Sequence, residues 1–86
     1  MTIKNFISHS GRAVANQYII TDGNKRTFQS YNSVICTIEN GVVTLDTYFW
    51  DYSQTTGKYR NIFLGEDKKE TERKIKSGIY KLANLN

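Results

Sequence analysis

The chain has 86 residues, 38% hydrophobic and 13% aromatic, with a formal charge of +4 and a pI near 9.3. That length makes a single domain, residues 1–86, which buries about two thirds of its unfolded surface, and it excludes a cofactor domain joined to a substrate domain. The mild basicity admits nucleic acid or an acidic protein surface as partner and argues against a DNA mimic built from acidic rows.

Residues 1–15 carry mixed signals. Ile3, Phe6 and Ile7 have helical spacing, whereas Ile3, Asn5 and Ile7 alternate as a strand does. His9-Ser10-Gly11-Arg12 then breaks any element. An edge strand or an irregular lead-in anchored by Phe6 is expected. The N-terminus lacks the apolar core of a signal peptide, and no run approaches the roughly 18 apolar residues of a membrane span. A cytoplasmic, soluble chain follows from that reading.

Asn16 to Thr21 is rich in strand formers, Asp22-Gly23-Asn24 turns, and Arg26 to Tyr31 returns. A four-residue loop pairing Ile19 with Phe28 is preferred to a two-residue turn pairing Ile20 with Lys25, because it joins two apolar side chains. Val34 to Ile38 is the clearest core strand. Asn40-Gly41 is the strongest short hairpin signal, and Val42 to Trp50 comes back. A two-residue turn there pairs Ile38 with Val43, Cys36 with Leu45 and Val34 with Thr47 on one apolar face, with Thr37–Thr44 and Ile35–Asp46 on the other. Tyr48 and Trp50 would then share the face opposite Val43 and Leu45. Cys36, the only cysteine, is a core residue in this register; it excludes an intrachain disulfide and a cysteine-based metal cluster.

Ser53 is placed to cap a helix, with Asp51 favouring its positive end. Tyr59, Ile62 and Phe63 share one helical face, and Gly65 stands where a left-handed residue ends the helix. Gly57 costs up to about 1 kcal/mol inside a helix, so either its backbone touches something closely or the first turn is irregular. Glu66 to Lys76 reads as a solvated helix with Glu70–Lys74 and Glu72–Lys76 pairs, ended by Ser77-Gly78. Residues 79–84 fit a continued helix or a short strand; the strand is preferred, because Gly78 suits a helix end.

The chemistry of a catalyst is thin in this chain. His9 is the only histidine and lies far along the chain from Cys36, and metal-ligand and phosphate-loop spacings are lacking. No enzyme and no cofactor is expected. Lys58-Tyr59-Arg60 alternates base and aromatic, a pattern able to stack bases and equally able to form a protein hot spot.

The segments Ser30-Tyr31-Asn32-Ser33-Val34-Ile35 and Trp50-Asp51-Tyr52-Ser53-x-Thr55-Thr56-x-Lys58-Tyr59-x-x-x-Phe63-Leu64 resemble a family of small proteins of unknown function encoded by bacteriophages and prophages. Gly11 to Gln17 and Glu70 to Gly78 look similar to it too. The resemblance implies an accessory protein that binds a host macromolecule, a host protein or ribonucleoprotein, in the bacterial cytoplasm. It also implies inhibition of a bacterial defence system such as a CRISPR nuclease. The alternative is a small single-stranded nucleic-acid-binding protein.

The expected fold is α+β: an antiparallel meander of four strands over residues 16–50, one or two short helices over 53–77 on one face, and a fifth strand near 79–84. Arg12, Lys58, Tyr59 and Arg60 are the candidate partner-binding residues, since neither cap nor core requires Lys58 or Arg60. Exposed sheet edges also leave a homodimer open.

Overall fold

Six strands and two helices follow one another in the computed structural model, which describes all residues, 1–86. They are β1 (Thr2–Ile7), β2 (Ala13–Asp22), β3 (Lys25–Ser30), β4 (Ser33–Glu39), β5 (Val42–Asp46), α1 (Gln54–Leu64), α2 (Lys68–Lys76) and β6 (Lys81–Ala83). The strands form one sheet in the order β1-β2-β3-β4-β5-β6. The first five are an antiparallel meander, and β6 lies parallel to β5. A parallel neighbour requires a crossover, and α1 and α2 supply it. The fold is α+β as expected, with six strands in place of four or five. The extra one is β1, which the mixed spacing of residues 1–7 obscured.

Turn chemistry sets the registers. Asn40 and Gly41 both take positive φ, 51° and 79°, as the tightest hairpin turn demands. Ile38 pairs with Val43, Thr37 with Thr44 and Cys36 with Leu45. Ile19 pairs with Phe28 as expected, but the ladder continues to Asp22–Lys25, so the loop is only Gly23-Asn24. Ile19, Phe28, Cys36 and Leu45 therefore stand in one row across four strands. The last three are fully buried. Above them the Phe6 ring meets Phe28 at 5.4 Å and Tyr59 at 5.2 Å, and Phe63 of α1 meets Phe28 at 5.9 Å.

Two irregularities bend the sheet. Between the Asn5–Tyr18 and Ile7–Ala13 pairs, β2 has extra residues. Asn16 there takes φ 66°, and Asn5 Nδ2 donates to the Val14 carbonyl at 2.9 Å across the gap. In β4, Ile35 is an extra residue between the Phe28–Cys36 and Gln29–Val34 pairs, and it is buried beside Cys36.

The second half of the expected return strand does not form. Strand β5 stops at Asp46, and residues 47–52 turn. The Val34–Thr47 and Ile35–Asp46 pairs are thus absent, and Tyr48 and Trp50 lie on no sheet face. Asp46 is the physical reason. Its buried carboxylate accepts from the backbone N–H of Tyr48 (3.0 Å), Phe49 (2.7 Å) and Leu85 (2.8 Å) and from Asn86 Nδ2 (3.0 Å). One side chain ends the strand, starts the turn and holds the C-terminal tail. Asn86 in turn brackets Val34: its Oδ1 accepts from the Val34 N–H at 2.7 Å, and its Nδ2 donates to the Val34 carbonyl at 3.0 Å.

Burial alone would push the Asp46 carboxyl up, but its four donors outweigh that and hold it below the ordinary value. A depressed native value stabilises the fold above the unfolded carboxyl value, about 4. That contribution is lost as pH falls through the native value. Asp46→Asn is expected to cost about 1–3 kcal/mol at pH 7, since it leaves buried N–H groups poorly served. Urea denaturation should show the gap from the unaltered chain narrowing in strong acid.

Candidate binding surface

The connection from β5 to α1 positions the candidate residues. Ser53 has extended backbone, and its Oγ accepts from the Thr56 N–H at 3.1 Å, which caps the first turn of α1. Gly65 ends the helix in the left-handed conformation, φ 71°. Both ends match the sequence reading.

Arg60 departs from it. Its side chain is 1% exposed and is the largest fully buried one in the chain. Nη1 donates to the Trp50 carbonyl at 2.8 Å and to Asp51 Oδ1 at 3.4 Å, and Nη2 donates to Asn61 Oδ1 at 3.0 Å. The guanidinium carbon lies 5.2 Å from the centre of the Trp50 ring. Arg60 is therefore a clamp between α1 and the preceding loop, not part of a contact surface. Asp51 also differs in role, since Lys68 Nζ meets its other oxygen at 2.7 Å. Burial would raise the Asp51 carboxyl; Lys68 and Arg60 together hold it below its usual value.

Gly57 lies within the regular first turn of α1, one turn from the Arg60 guanidinium. A Cβ at this position would stand 3.6 Å from Arg60 Nη2, an ordinary van der Waals contact, so no close approach demands glycine there. Cys36 is fully buried, and burial pushes its thiol up to about 12 against a smaller opposing pull from the Arg60 charge. It stays protonated and inert at neutral pH.

The other three candidates remain near the surface. Tyr59 is half-buried, packed on Phe6, and Lys58 Nζ lies 5.4 Å from the centre of its ring. Lys58 and Tyr59 line a depression of about 150 Å³ with Ile7, Ser8, His9 and Ile62. Arg12 is exposed in the β1–β2 loop, which closes through a Ser8 N–H to Arg12 carbonyl bond of 2.8 Å. The loop's Ser8 and His9 line the same depression. A second depression adjoins through the shared residues Ile7 and Ile62 and carries Lys4 and Arg26.

Ile7 is 65% exposed and Ile62 57%. The sequence reading missed both. The spacing puts Ile62 on one face with Tyr59 and Phe63; Phe63 is buried as that reading requires, and Ile62 is exposed. Ile7 ends β1 just where the β2 bulge shifts the pairing. No carboxylate lines either depression.

Gly57→Ala is expected to raise stability by up to about 1 kcal/mol, since alanine fits the helix better and meets only ordinary contacts. Arg60→Lys should lower it by about 1–3 kcal/mol, because a single ammonium cannot serve acceptors on both sides of a planar fork. Thermal and chemical denaturation of the two variants would check the pair.

No curated protein and no solved structure matches the chain. A family model does: it matches residues 1–78, from β1 to just past the end of α2, and takes in all four candidate residues. The chain belongs to this family, a family of unknown function (DUF8033).

Proposed function

We propose that this chain is a non-enzymatic accessory protein of a bacteriophage or prophage that binds a host protein in the bacterial cytoplasm and inhibits a defence system, an anti-CRISPR-like role. The observation that carries the binding reading is the pair Ile7 and Ile62, exposed where two depressions join, with Lys58 on one side and Lys4 and Arg26 on the other. Exposed aliphatic anchors ringed by a single sign of charge suit an acidic partner surface with apolar side chains at its centre. The bacteriophage setting rests on the resemblance of the Ser30–Ile35 and Trp50–Leu64 segments.

The nucleic-acid reading of this face is the weaker one. It drew on the run Lys58-Tyr59-Arg60, and Arg60 is spent inside the fold. Backbone phosphates reward cations, not aliphatic anchors.

Ile7→Glu with Ile62→Glu is expected to weaken capture of the host protein about tenfold or more. The stability of this double variant should change by no more than about 0.5 kcal/mol per site, since both side chains are exposed. Affinity capture from bacterial lysate with and without nuclease, followed by quantitative mass spectrometry, checks this. A single host protein that survives nuclease and is lost by the double variant supports the reading. Loss of every partner on nuclease treatment would move the assignment to single-stranded nucleic acid, and Lys58→Ala would then be the next variant.

A further inference from the structure

A separate cavity, of about 280 Å³, opens between the β3–β4 turn and the loop that enters α1. It shares no residue with the Ile7–Ile62 depressions. Its apolar lining comes from buried Ile35 and half-buried Phe49, and at its mouth stand Tyr31, 55% exposed, and Tyr52, 61% exposed. No carboxylate, ammonium, guanidinium or imidazole lines it.

The polar wall has a proton to give. Ser53 Oγ donates to Thr56 Oγ1 at 3.2 Å, and Thr56 Oγ1 shares one further proton with Ser30 Oγ at 3.2 Å. Three hydroxyls bring three protons to two contacts. One proton of the Ser30–Thr56 pair is therefore left without a protein acceptor, although both residues are at least 97% buried. Both line the cavity, so a group bound there is the natural acceptor. Asn32, also lining it, offers an amide with both a donor and an acceptor.

The mouth is held at a conformational cost. Tyr31 opens the two-residue turn between the paired Ser30 and Ser33, and its φ is 55°. That left-handed conformation disfavours a bulky side chain and suits glycine or asparagine. An aromatic at this point is a poor choice for the turn and a good one for an aromatic mouth, and backbone strain of this kind clusters at ligand sites.

We propose that this cavity binds one uncharged nucleobase, stacked at its mouth by Tyr31 and Tyr52 and hydrogen-bonded within by Asn32 and the Ser30–Thr56 pair. Aromatic side chains recognise bases by their faces, and amide and hydroxyl groups read their edges. The volume lies near the lower end of ligand cavities, about 300 Å³, which suits one base and excludes a stacked pair. The neutral lining leaves any phosphate outside. The base arrives either as a free nucleoside or unpaired in a single strand.

Titration calorimetry of the full chain with adenosine, guanosine, cytidine and uridine tests this, with glucose as a non-aromatic control and a short single-stranded oligonucleotide at low and high salt. Saturable one-site binding of at least one nucleoside, with none for glucose, is expected. Tyr52→Ala should weaken it about tenfold or more, and so should Tyr31→Gly, while Tyr31→Gly raises the melting temperature by relieving the turn. Tighter, salt-sensitive binding of the oligonucleotide would identify a strand as the source; equal affinity at all salt concentrations would identify the free base. Absence of saturation by every base-containing probe, equal binding of glucose, or binding indifferent to both tyrosine variants would each overturn the proposal. The site is independent of the protein-binding face: Ile7→Glu with Ile62→Glu leaves base binding unchanged.

Discussion

A guanidinium under the first helix fixes that helix against the loop that leads into it. Arg60 brings a full charge into the interior, which is costly unless donors and charge are matched. The match here consists of the Trp50 carbonyl, the Asp51 carboxylate, the Asn61 amide and the face of the Trp50 ring. Each of these except Asn61 belongs to the loop that precedes α1. The pairing therefore fixes that loop against the helix, and both proposed surfaces depend on it. On one flank of α1, Lys58, Tyr59 and Ile62 meet β1. On the other, Phe49, Tyr52, Ser53 and Thr56 close the neutral cavity against the β3–β4 turn.

Polar anchoring recurs because the core is small. Seven apolar residues are buried, and so are seven polar ones, so hydrophobic packing alone does not define where the crossover runs. Asp46 pins its start. Glu66 pins its middle: its carboxylate accepts from Thr71 Oγ1 at 2.6 Å, Lys74 Nζ at 2.7 Å and the Tyr80 hydroxyl at 2.7 Å. Burial would raise the Glu66 carboxyl, and these three donors outweigh it. The result ties the start of α2 to the residue just before β6, which is how a three-residue strand comes to lie parallel to β5. Arg60 Nε is left without a partner, and so is Gln17, buried in the β2 bulge with neither amide atom paired. It sits opposite Ser30 in the β2–β3 ladder.

Local turn and cap chemistry was legible in the sequence, and side-chain direction was not. Asn40-Gly41 gave the β4–β5 register, and Ser53 and Gly65 gave the limits of α1, because each acts within a few residues of itself. Lys58-Tyr59-Arg60 looked like one surface, yet successive helical residues point about 100° apart. Lys58 is therefore exposed, Tyr59 half-buried and Arg60 enclosed. Strand β5 was read too long for a related reason. The run from Val42 to Trp50 has the composition of a strand throughout, and what ends it is a carboxylate whose partners include Leu85 and Asn86. A partner some 40 residues away leaves no local signature. The β2 bulge, which exposes Ile7 and buries Gln17, is likewise a product of the completed sheet.

Charge is sorted along α1 in a way that separates the two surfaces physically. Lys4, Arg26 and Lys58 border the Ile7–Ile62 face, and Arg60, whose position would otherwise add to the field, has its charge met by Asp51. The cavity on the opposite flank has only hydroxyl, amide and aromatic groups. Attraction at the first face is screened beyond about 8–10 Å at physiological ionic strength, while stacking and hydrogen bonding in the second are short-ranged and feel salt little. Salt therefore separates attraction at the first face from binding of an uncharged base in the second. The separation itself follows from helical geometry: at about 100° per residue, Lys58 and Ile62 stand about 160° and 120° around the eleven-residue helix from Thr56, so the cationic face and the neutral cavity take different sides of α1.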